Sequence, residues 1–173
     1  TIKDDGSAGP DDDRPAVSIT GGGDVNEGGT ANFSVSLDKA ADTAVTVKLT
    51  FDADETEAQD IKAYEYESAP GVWSTVPNDG VLTFDKGVTS IKVRVVTEDD
   101  DVYEGSESFN ISVAGQDGTV THSDSAKQSA TATIKDDGSA GPDDDRPAVS
   151  ITGGGDVNEG GTANFSVSLD KAA

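Results

Sequence analysis

Polar and apolar residues alternate with a period of two along most of the chain. The alternation is clearest at 45–51 and 91–95, where Val, Leu, Ile or Phe occupies every second position. This period is typical of strands with one buried side and one solvent-facing side. The residues that mark the predicted strands are Val17, Ile19, Phe33, Val35, Leu37, Val45, Val47, Leu49, Phe51, Leu82, Phe84, Ile91, Val93, Val95, Phe109, Ile111, Val113, Ala130, Ala132 and Ile134.

No segment of the chain has a convincing helical stripe. Residues 61–77 contain Tyr64, Tyr66 and Trp73 and are compatible with two further short strands. Seven to nine short strands, separated by acidic or glycine-rich turns, predict an all-β fold. The architecture that fits this pattern best is an antiparallel immunoglobulin-like β-sandwich.

An internal repeat indicates how the chain is organised. Residues 1–41 recur without a single change at 133–173. We therefore expect one complete module from a tandem array, with partial neighbouring modules at both ends. The expected divisions are the closing strand of a preceding module at 1–5, an acidic linker at 6–14, the complete module at 15–137, a second acidic linker at 138–147 and the opening strands of the next module at 148–173.

The duplicated ends compete for the same places in the sheets. Residues 42–132 occur once, whereas the opening strands occur at 16–41 and again at 148–173. Short loop closure favours the copies that are contiguous with the middle of the module. The remaining ends are expected either to be disordered or to pair with another chain by strand exchange.

The charge of the chain narrows the classes of partner. The formal net charge is -22, which excludes nucleic-acid binding because phosphate contacts require Lys and Arg. It also argues against binding to anionic membranes, and no apolar run reaches the length of a transmembrane helix. Self-repulsion of this size favours bound cations or a high-salt environment. The chain has no cysteine, so disulfides and thiolate metal sites are excluded.

Carboxylates concentrate in four places beside predicted strand ends. They lie at 24–27, 52–60, 98–107 and 136–145. If these ends meet at one pole of the sandwich, they supply the oxygen ligands that Ca²⁺ prefers. Mg²⁺ is a weaker match because it retains waters and uses few carboxylates, and zinc is disfavoured with one histidine and no cysteine. The alternative is that all four groups are solvated loops.

Several motifs of the module resemble the Calx-beta family. They are the N-E-G turn at 26–28, the L-T-F strand at 82–84, the D-D-D-V-Y-E turn at 99–104 and the closing T-I-K-D-D at 133–137. The segment 61–79 is longer than is usual in that family. Acidic tandem modules of this kind also resemble the extender regions of giant RTX adhesins of the biofilm and ice-binding types. The resemblance implies calcium binding, secretion and a place on a bacterial cell surface.

The same resemblance implies which residues bind the metal. It points to the glutamate of the N-E-G turn, to acids after the third strand, to the D-D-D-V-Y-E turn and to the closing aspartates. Among the acids after the third strand we select Asp60, with Asp52 and Asp54 as alternatives. To these we add Glu107 and the linker aspartates. The full candidate set is Glu27, Asp60, Asp99, Asp100, Asp101, Glu104, Glu107, Asp136, Asp137, Asp143, Asp144 and Asp145.

Three functions are compatible with these observations. The first is a calcium-stiffened spacer that contacts identical modules of the same chain and projects a distal adhesive domain. The second is recognition of a carbohydrate by Tyr64, Tyr66 and Trp73, against the alternative that Trp73 fills the core. The third is a Calx-beta calcium sensor. An enzyme is not expected, because His122 is the sole histidine and lies in a polar loop.

Overall fold

The computed structural model describes residues 12–100, 102–122, 124–136 and 145–171. These residues form thirteen strands and two single-turn 3-10 helices, at Ala58–Asp60 and Ser125–Lys127. Among the described residues no helix is both long and apolar enough to cross a membrane. The strands are β1 Ala16–Gly21, β2 Gly23–Asn26, β3 Thr30–Leu37, β4 Val45–Asp52, β5 Ile61–Ala69, β6 Val72–Thr75, β7 Val81–Phe84, β8 Ser90–Thr97, β9 Ser106–Gly115, β10 Thr121–His122, β11 Ser129–Lys135, β12 Val149–Gly153 and β13 Phe165–Leu169.

Strands β1 to β11 form the two sheets of a β-sandwich. One sheet has the order β10-β1-β3-β8-β5-β6 and the other the order β2-β11-β9-β4-β7. The all-β sandwich is therefore confirmed, but the sheets are mixed rather than purely antiparallel. The parallel pairs are β1 with β10 and β2 with β11.

The parallel pairs arise because the chain crosses from one sheet to the other between β1 and β2. Gly22 separates β1 from β2 and has a φ of +80°, a backbone conformation that residues other than glycine rarely adopt. A Cβ at this position would lie 2.1 Å from the carbonyl oxygen of Thr131. Only glycine lets the backbone pass so close to β11 as it crosses from one sheet to the other.

The inward-facing residues of the alternating runs form the core between the sheets. Phe33, Val35, Val93 and Phe109 are at most 3% exposed. The rings of Phe33 and Phe109 join the two sheets, with centroids 6.2 Å apart, and Phe51 stacks on Phe109 within one sheet at 5.2 Å. Burial of this apolar surface is the main term that stabilises the sandwich.

Trp73 lies on the outer face of its sheet and not in the core. Its paired residue on the neighbouring strand β5 is Glu67, and the guanidinium of Arg94 on β8 lies 4.1 Å from the centre of the indole ring. Arg94 also donates two hydrogen bonds to Glu65 Oε2, at 2.8 and 2.7 Å. Trp73 is thus packed against a charged pair, and the interpretation of Trp73 as a core residue is wrong.

The second copy of the opening strands forms a separate hairpin. In β12 and β13, Val149 pairs with Leu169, just as Val17 pairs with Leu37 between β1 and β3. The burial of the two copies differs: Phe33 is 3% exposed, whereas the identical Phe165 is 64% exposed. The exposed apolar face is the one that another chain would cover in a strand exchange, which stays a prediction.

The first and last strands of the sandwich leave it at opposite ends. Ala16 begins β1 beside Thr121 and Asp38, whereas Lys135 ends β11 beside Asn26 and Ser106. Because β2 runs parallel to β11, the chain enters at one end of the sandwich and leaves at the other. This arrangement suits modules that follow one another end to end.

Candidate metal centre

Four segments meet at the end of the sandwich where β2, β8 and β11 finish. These segments are 26–29, 53–60, 98–107 without residue 101, and 135–136, and together we call them the acidic pole. Backbone hydrogen bonds tie them together: Gly28 N–H donates to Glu98 O at 2.8 Å and Glu98 N–H donates to Asp60 O at 2.8 Å. The positions of the acidic side chains are therefore set by the strand ends.

One group of carboxylates joins Glu27 and Asp136 of this pole to Asp145, and we call it the junction cluster. One carboxylate oxygen from each residue lies within 4.8 Å of the other two. Asp136 and Asp145 are buried, and Glu27 is half-buried. Burial and the negative charges of Asp136, Asp100, Asp145 and Glu104 raise the pKa of Glu27 to about 7.

The two oxygens of Asp136 have different environments. Asp136 Oδ2 accepts hydrogen bonds from the backbone N–H groups of Glu104 at 2.8 Å and Gly105 at 3.3 Å, which fixes the turn before β9. Asp136 Oδ1 is buried and makes no hydrogen bond with any of the described residues. A buried carboxylate oxygen without a donor is costly unless a cation or a proton satisfies it.

A second group consists of Asp60, Glu104 and Glu107, which we call the loop cluster. One oxygen from each lies within 4.8 Å of the others. Asp60 closes the 3-10 turn and its Oδ2 accepts a hydrogen bond from the Glu57 N–H. Burial, a hydrogen bond with Asp60 and the charges of Asp60, Glu104 and Glu57 raise the pKa of Glu107 to about 7.

The donor set of both clusters fits a hard cation. All six candidate ligands are carboxylates, and Ca²⁺ binds oxygen ligands at about 2.3–2.6 Å. Two oxygens on opposite sides of such an ion are about 4.6–5.2 Å apart, which accommodates the 4.8 Å limit within each cluster. Asp136 Oδ1, which is buried without a hydrogen-bond partner among the described residues, would be available as a ligand for such a cation.

The structure brings together six of the predicted ligands. Asp100 lies close enough to raise the pKa of Glu27, but its Oδ1 accepts a hydrogen bond from the Val102 N–H at 2.7 Å. Asp99 lies beside Gly28. The role of each residue as a metal ligand stays a prediction. The remaining candidates lie outside the described residues: Asp101, Asp137, Asp143 and Asp144.

The alternatives to Asp60 lie apart from the two clusters. Asp54 Oδ2 accepts a hydrogen bond from Ser108 Oγ at 3.2 Å, and Asp52 Oδ1 accepts one from the Asp54 N–H at 3.3 Å. The sequence analysis missed the part played by Glu57, whose charge acts on Glu104 and Glu107. The three-residue spacing of Glu57 and Asp60 is the signal that could have shown it, because such a spacing allows mutual capping of one helical turn.

The two copies of the repeat place the same aspartate in different surroundings. Asp13 has a side chain that is 84% exposed, whereas the side chain of its equivalent Asp145 is 7% exposed within the junction cluster. The lysine that follows the hairpin differs as well. Lys39 Nζ is 4.0 Å from Asp13, and its equivalent Lys171 Nζ is 2.6 Å from Asp145. The acidic pole of the sandwich therefore contacts the repeat that follows it.

Together, the fold and the acidic pole define a β-sandwich module with a candidate site for hard cations. Comparison with family models gives a match to the Calx-beta domain over residues 11–138. The chain belongs to the Calx-beta domain family. Comparison with curated protein sequences gives no match.

Solved structures with a similar fold include two fragments of Calx proteins. A structure of calcium binding domain CBD12 of CALX1.1 has a TM-score of 0.52 and 23% identity, covering 79% of this chain and 50% of that chain. A structure of CBD12 from CALX1.2 has a TM-score of 0.50 and 23% identity, covering 69% of this chain and 43% of that chain. The present chain spans half or less of each. At these identities the likeness shows the fold.

Proposed function

We propose that the chain is a calcium-binding structural module that rigidifies and extends a long adhesin on a bacterial cell surface. In this role secreted modules follow one another in tandem and carry a distal adhesive domain away from the cell. Calcium binds at the acidic pole of each module and reduces the repulsion between its carboxylates. The same ion restrains the module that follows.

The observation that carries this proposal is the composition of the junction cluster. Glu27 and Asp136 belong to the sandwich, whereas Asp145 lies just before the hairpin of the following repeat. A cation bound to all three would link two successive repeats. The placement of the module's ends at opposite poles supports the same role, because a tandem chain then extends along one axis.

Calcium binding is supported by the chemistry of both clusters. The six carboxylates of the two clusters repel one another, and burial together with this repulsion raises the pKa values of Glu27 and Glu107. A divalent ion with six to eight oxygen ligands offsets the repulsion and satisfies Asp136 Oδ1. Two clusters predict at least two ions for each module.

The experiment is a calcium titration by calorimetry together with small-angle X-ray scattering. We expect dissociation constants of about 10⁻⁴–10⁻³ M, as in extracellular modules. We also expect a narrower distribution of shapes with excess calcium than with chelator. Magnesium at the same concentration is the control. If calcium neither produces heat nor changes the scattering curve, the proposal fails.

A calcium sensor is the second candidate, because membership of the Calx-beta family is compatible with it. A sensor binds at about 10⁻⁷–10⁻⁵ M. The measured affinity therefore separates a sensor from an extracellular spacer.

A further inference from the structure

We propose that Lys171 of the following repeat and the bound cation are alternative partners of Asp145, so that metal binding at the junction cluster displaces this lysine. The inference rests on the proposed binding of calcium at the acidic pole. It adds the Lys171 ammonium group as a competitor for the metal, so that a residue of the following repeat sets how tightly the junction cluster binds calcium. In the metal-free chain, Lys171 keeps Asp145 seated beside Glu27 and Asp136.

The direct contact between Lys171 and Asp145 is the first step of the argument. Lys171 Nζ donates to Asp145 Oδ1 at 2.6 Å, and the two side chains are 28% and 7% exposed. A charge-assisted bond of this length occupies one oxygen of a carboxylate that belongs to the junction cluster. An ammonium group and a divalent cation on one carboxylate also repel each other, so the two partners compete.

The hairpin of the following repeat holds both members of this pair in place. Asp145 precedes β12, and Lys171 follows β13. The Ala148 N–H donates to Asp170 Oδ1 at 2.6 Å, and the Asp170 N–H donates to the Ala148 carbonyl at 3.2 Å. The strand register of the hairpin therefore brings the lysine to Asp145.

The first copy of the repeat shows what the same residues do away from an acidic pole. Lys39 Nζ donates to the Asp12 carbonyl at 3.1 Å and remains 4.0 Å from Asp13, whose side chain is exposed. The sequence around both lysines is the same. Close pairing thus accompanies the seating of the aspartate against Glu27 and Asp136, and it is a property of the junction.

The junction cluster also contains a buried carboxylate oxygen that Lys171 does not contact. Asp136 is 7% exposed, and within the described part of the chain its Oδ1 has no hydrogen-bond partner, whereas its Oδ2 accepts two hydrogen bonds. Lys171 is paired with Asp145 and leaves this oxygen unsatisfied. A cation that replaces the lysine would contact Asp136 as well as Asp145, which gives the exchange its direction.

The test compares Lys171→Gln with the matched control Lys39→Gln. Both are made in an Asp60→Asn background, which weakens the loop cluster so that calcium chloride titrates the junction. We expect Lys171→Gln to bind calcium about tenfold more tightly at low ionic strength, since a hydrogen bond to a charged group no longer competes. Lys39→Gln should match its background, and Lys171→Arg should restore the weaker binding.

Metal-free measurements provide a second readout. In chelator, amide hydrogen exchange at Asp145 and Arg146 should be faster in Lys171→Gln than in Lys39→Gln, while the melting temperature of the module stays the same. Added sodium chloride should reduce the difference in calcium affinity between the two variants, because salt screens the lysine.

The outcomes separate this inference from the proposed function. If the Asp60→Asn chain binds calcium and Lys171→Gln binds it with unchanged or weaker affinity, the exchange is refuted and the calcium site remains. If neither the unmodified chain nor any variant binds calcium, the proposed function is refuted and the exchange falls with it. In that case, faster amide hydrogen exchange of Lys171→Gln in chelator would show only that Lys171 contacts Asp145 in the metal-free chain.

Discussion

Raising the pH in the absence of metal should destabilise this module. The pKa values of Glu27 and Glu107 are raised from 4.5 to about 7 by burial and by neighbouring carboxylates. Between about pH 4.5 and pH 7 the folded chain therefore binds more protons than the unfolded chain. The resulting stabilisation is fully present below about pH 4.5 and is lost as the pH rises through about 7.

The size of this effect follows from the two pKa values and the exposure of the side chains. A rise in pKa from 4.5 to about 7 in Glu27 or Glu107 corresponds to about 3.4 kcal/mol for a fully buried group. Both side chains are partly exposed, and solvent screening reduces this to on the order of 1 kcal/mol for each. The total of about 2 kcal/mol lowers the melting temperature by about 6–10 °C for a domain of this size.

Excess calcium should reverse the trend. A cation binds the ionised carboxylates and stabilises the folded chain by about 2.7 kcal/mol per site at a hundred times the dissociation constant. Protons compete with the metal, so this stabilisation is larger at about pH 8 than at about pH 5. The assay is thermal unfolding followed by circular dichroism across this range, in chelator and in calcium.

Matched variants identify the source of the effect. Glu27→Gln should remove about half of the decrease in stability with pH, whereas Glu159→Gln should leave it unchanged, because Glu159 is the exposed equivalent in the second copy. A melting temperature in chelator that stays constant or rises with pH would refute the reasoning. Equal effects of the two substitutions would refute the assignment to the acidic pole.

Three further predictions concern the fold. Phe33→Ala should lower the free energy of unfolding in urea by about 3–5 kcal/mol, whereas Phe165→Ala should change it by less than about 0.5 kcal/mol; equal losses would contradict the difference in their burial. Gly22→Ala should prevent folding, measured as loss of the cooperative unfolding transition, because its Cβ would overlap a carbonyl oxygen of β11; a native melting curve would contradict this. Arg94→Ala should shift the fluorescence of Trp73 and cost about 1 kcal/mol of stability through the lost cation–π contact; an unchanged spectrum would contradict the stacking.

The sequence was a good guide to the fold where strands have one buried side. The alternation of Val45 to Phe51 and of Ile91 to Val95 predicted β4 and β8, because the period of two reports burial directly. Strands β2 and β10 were missed. Gly23–Asn26 carries polar residues beside glycines, and Thr121–His122 is too short to show a period. These are the strands that make the sheets mixed.

The candidate site could be predicted only in part. The acids beside strand ends suggested a shared pole, and the resemblance to Calx-beta domains pointed to Glu27, Asp60 and Asp136 within it. Their division into two groups depends on how the loops at 53–60 and 98–105 fold against each other, which no spacing encodes. The difference in burial between Asp13 and Asp145 could not be predicted from the sequence, because the two residues lie in identical copies of the repeat.

The parallel pairing of β2 with β11 has a mechanical consequence. A pulling force along a chain of such modules acts near Ala16 at one end of the sandwich and near Asp136 at the other. It draws β2 and β11 in opposite directions along their shared ladder, from Gly23 opposite Ala132 to Asn26 opposite Lys135. The evenly spaced hydrogen bonds of a parallel pair are then sheared together instead of being opened one after another.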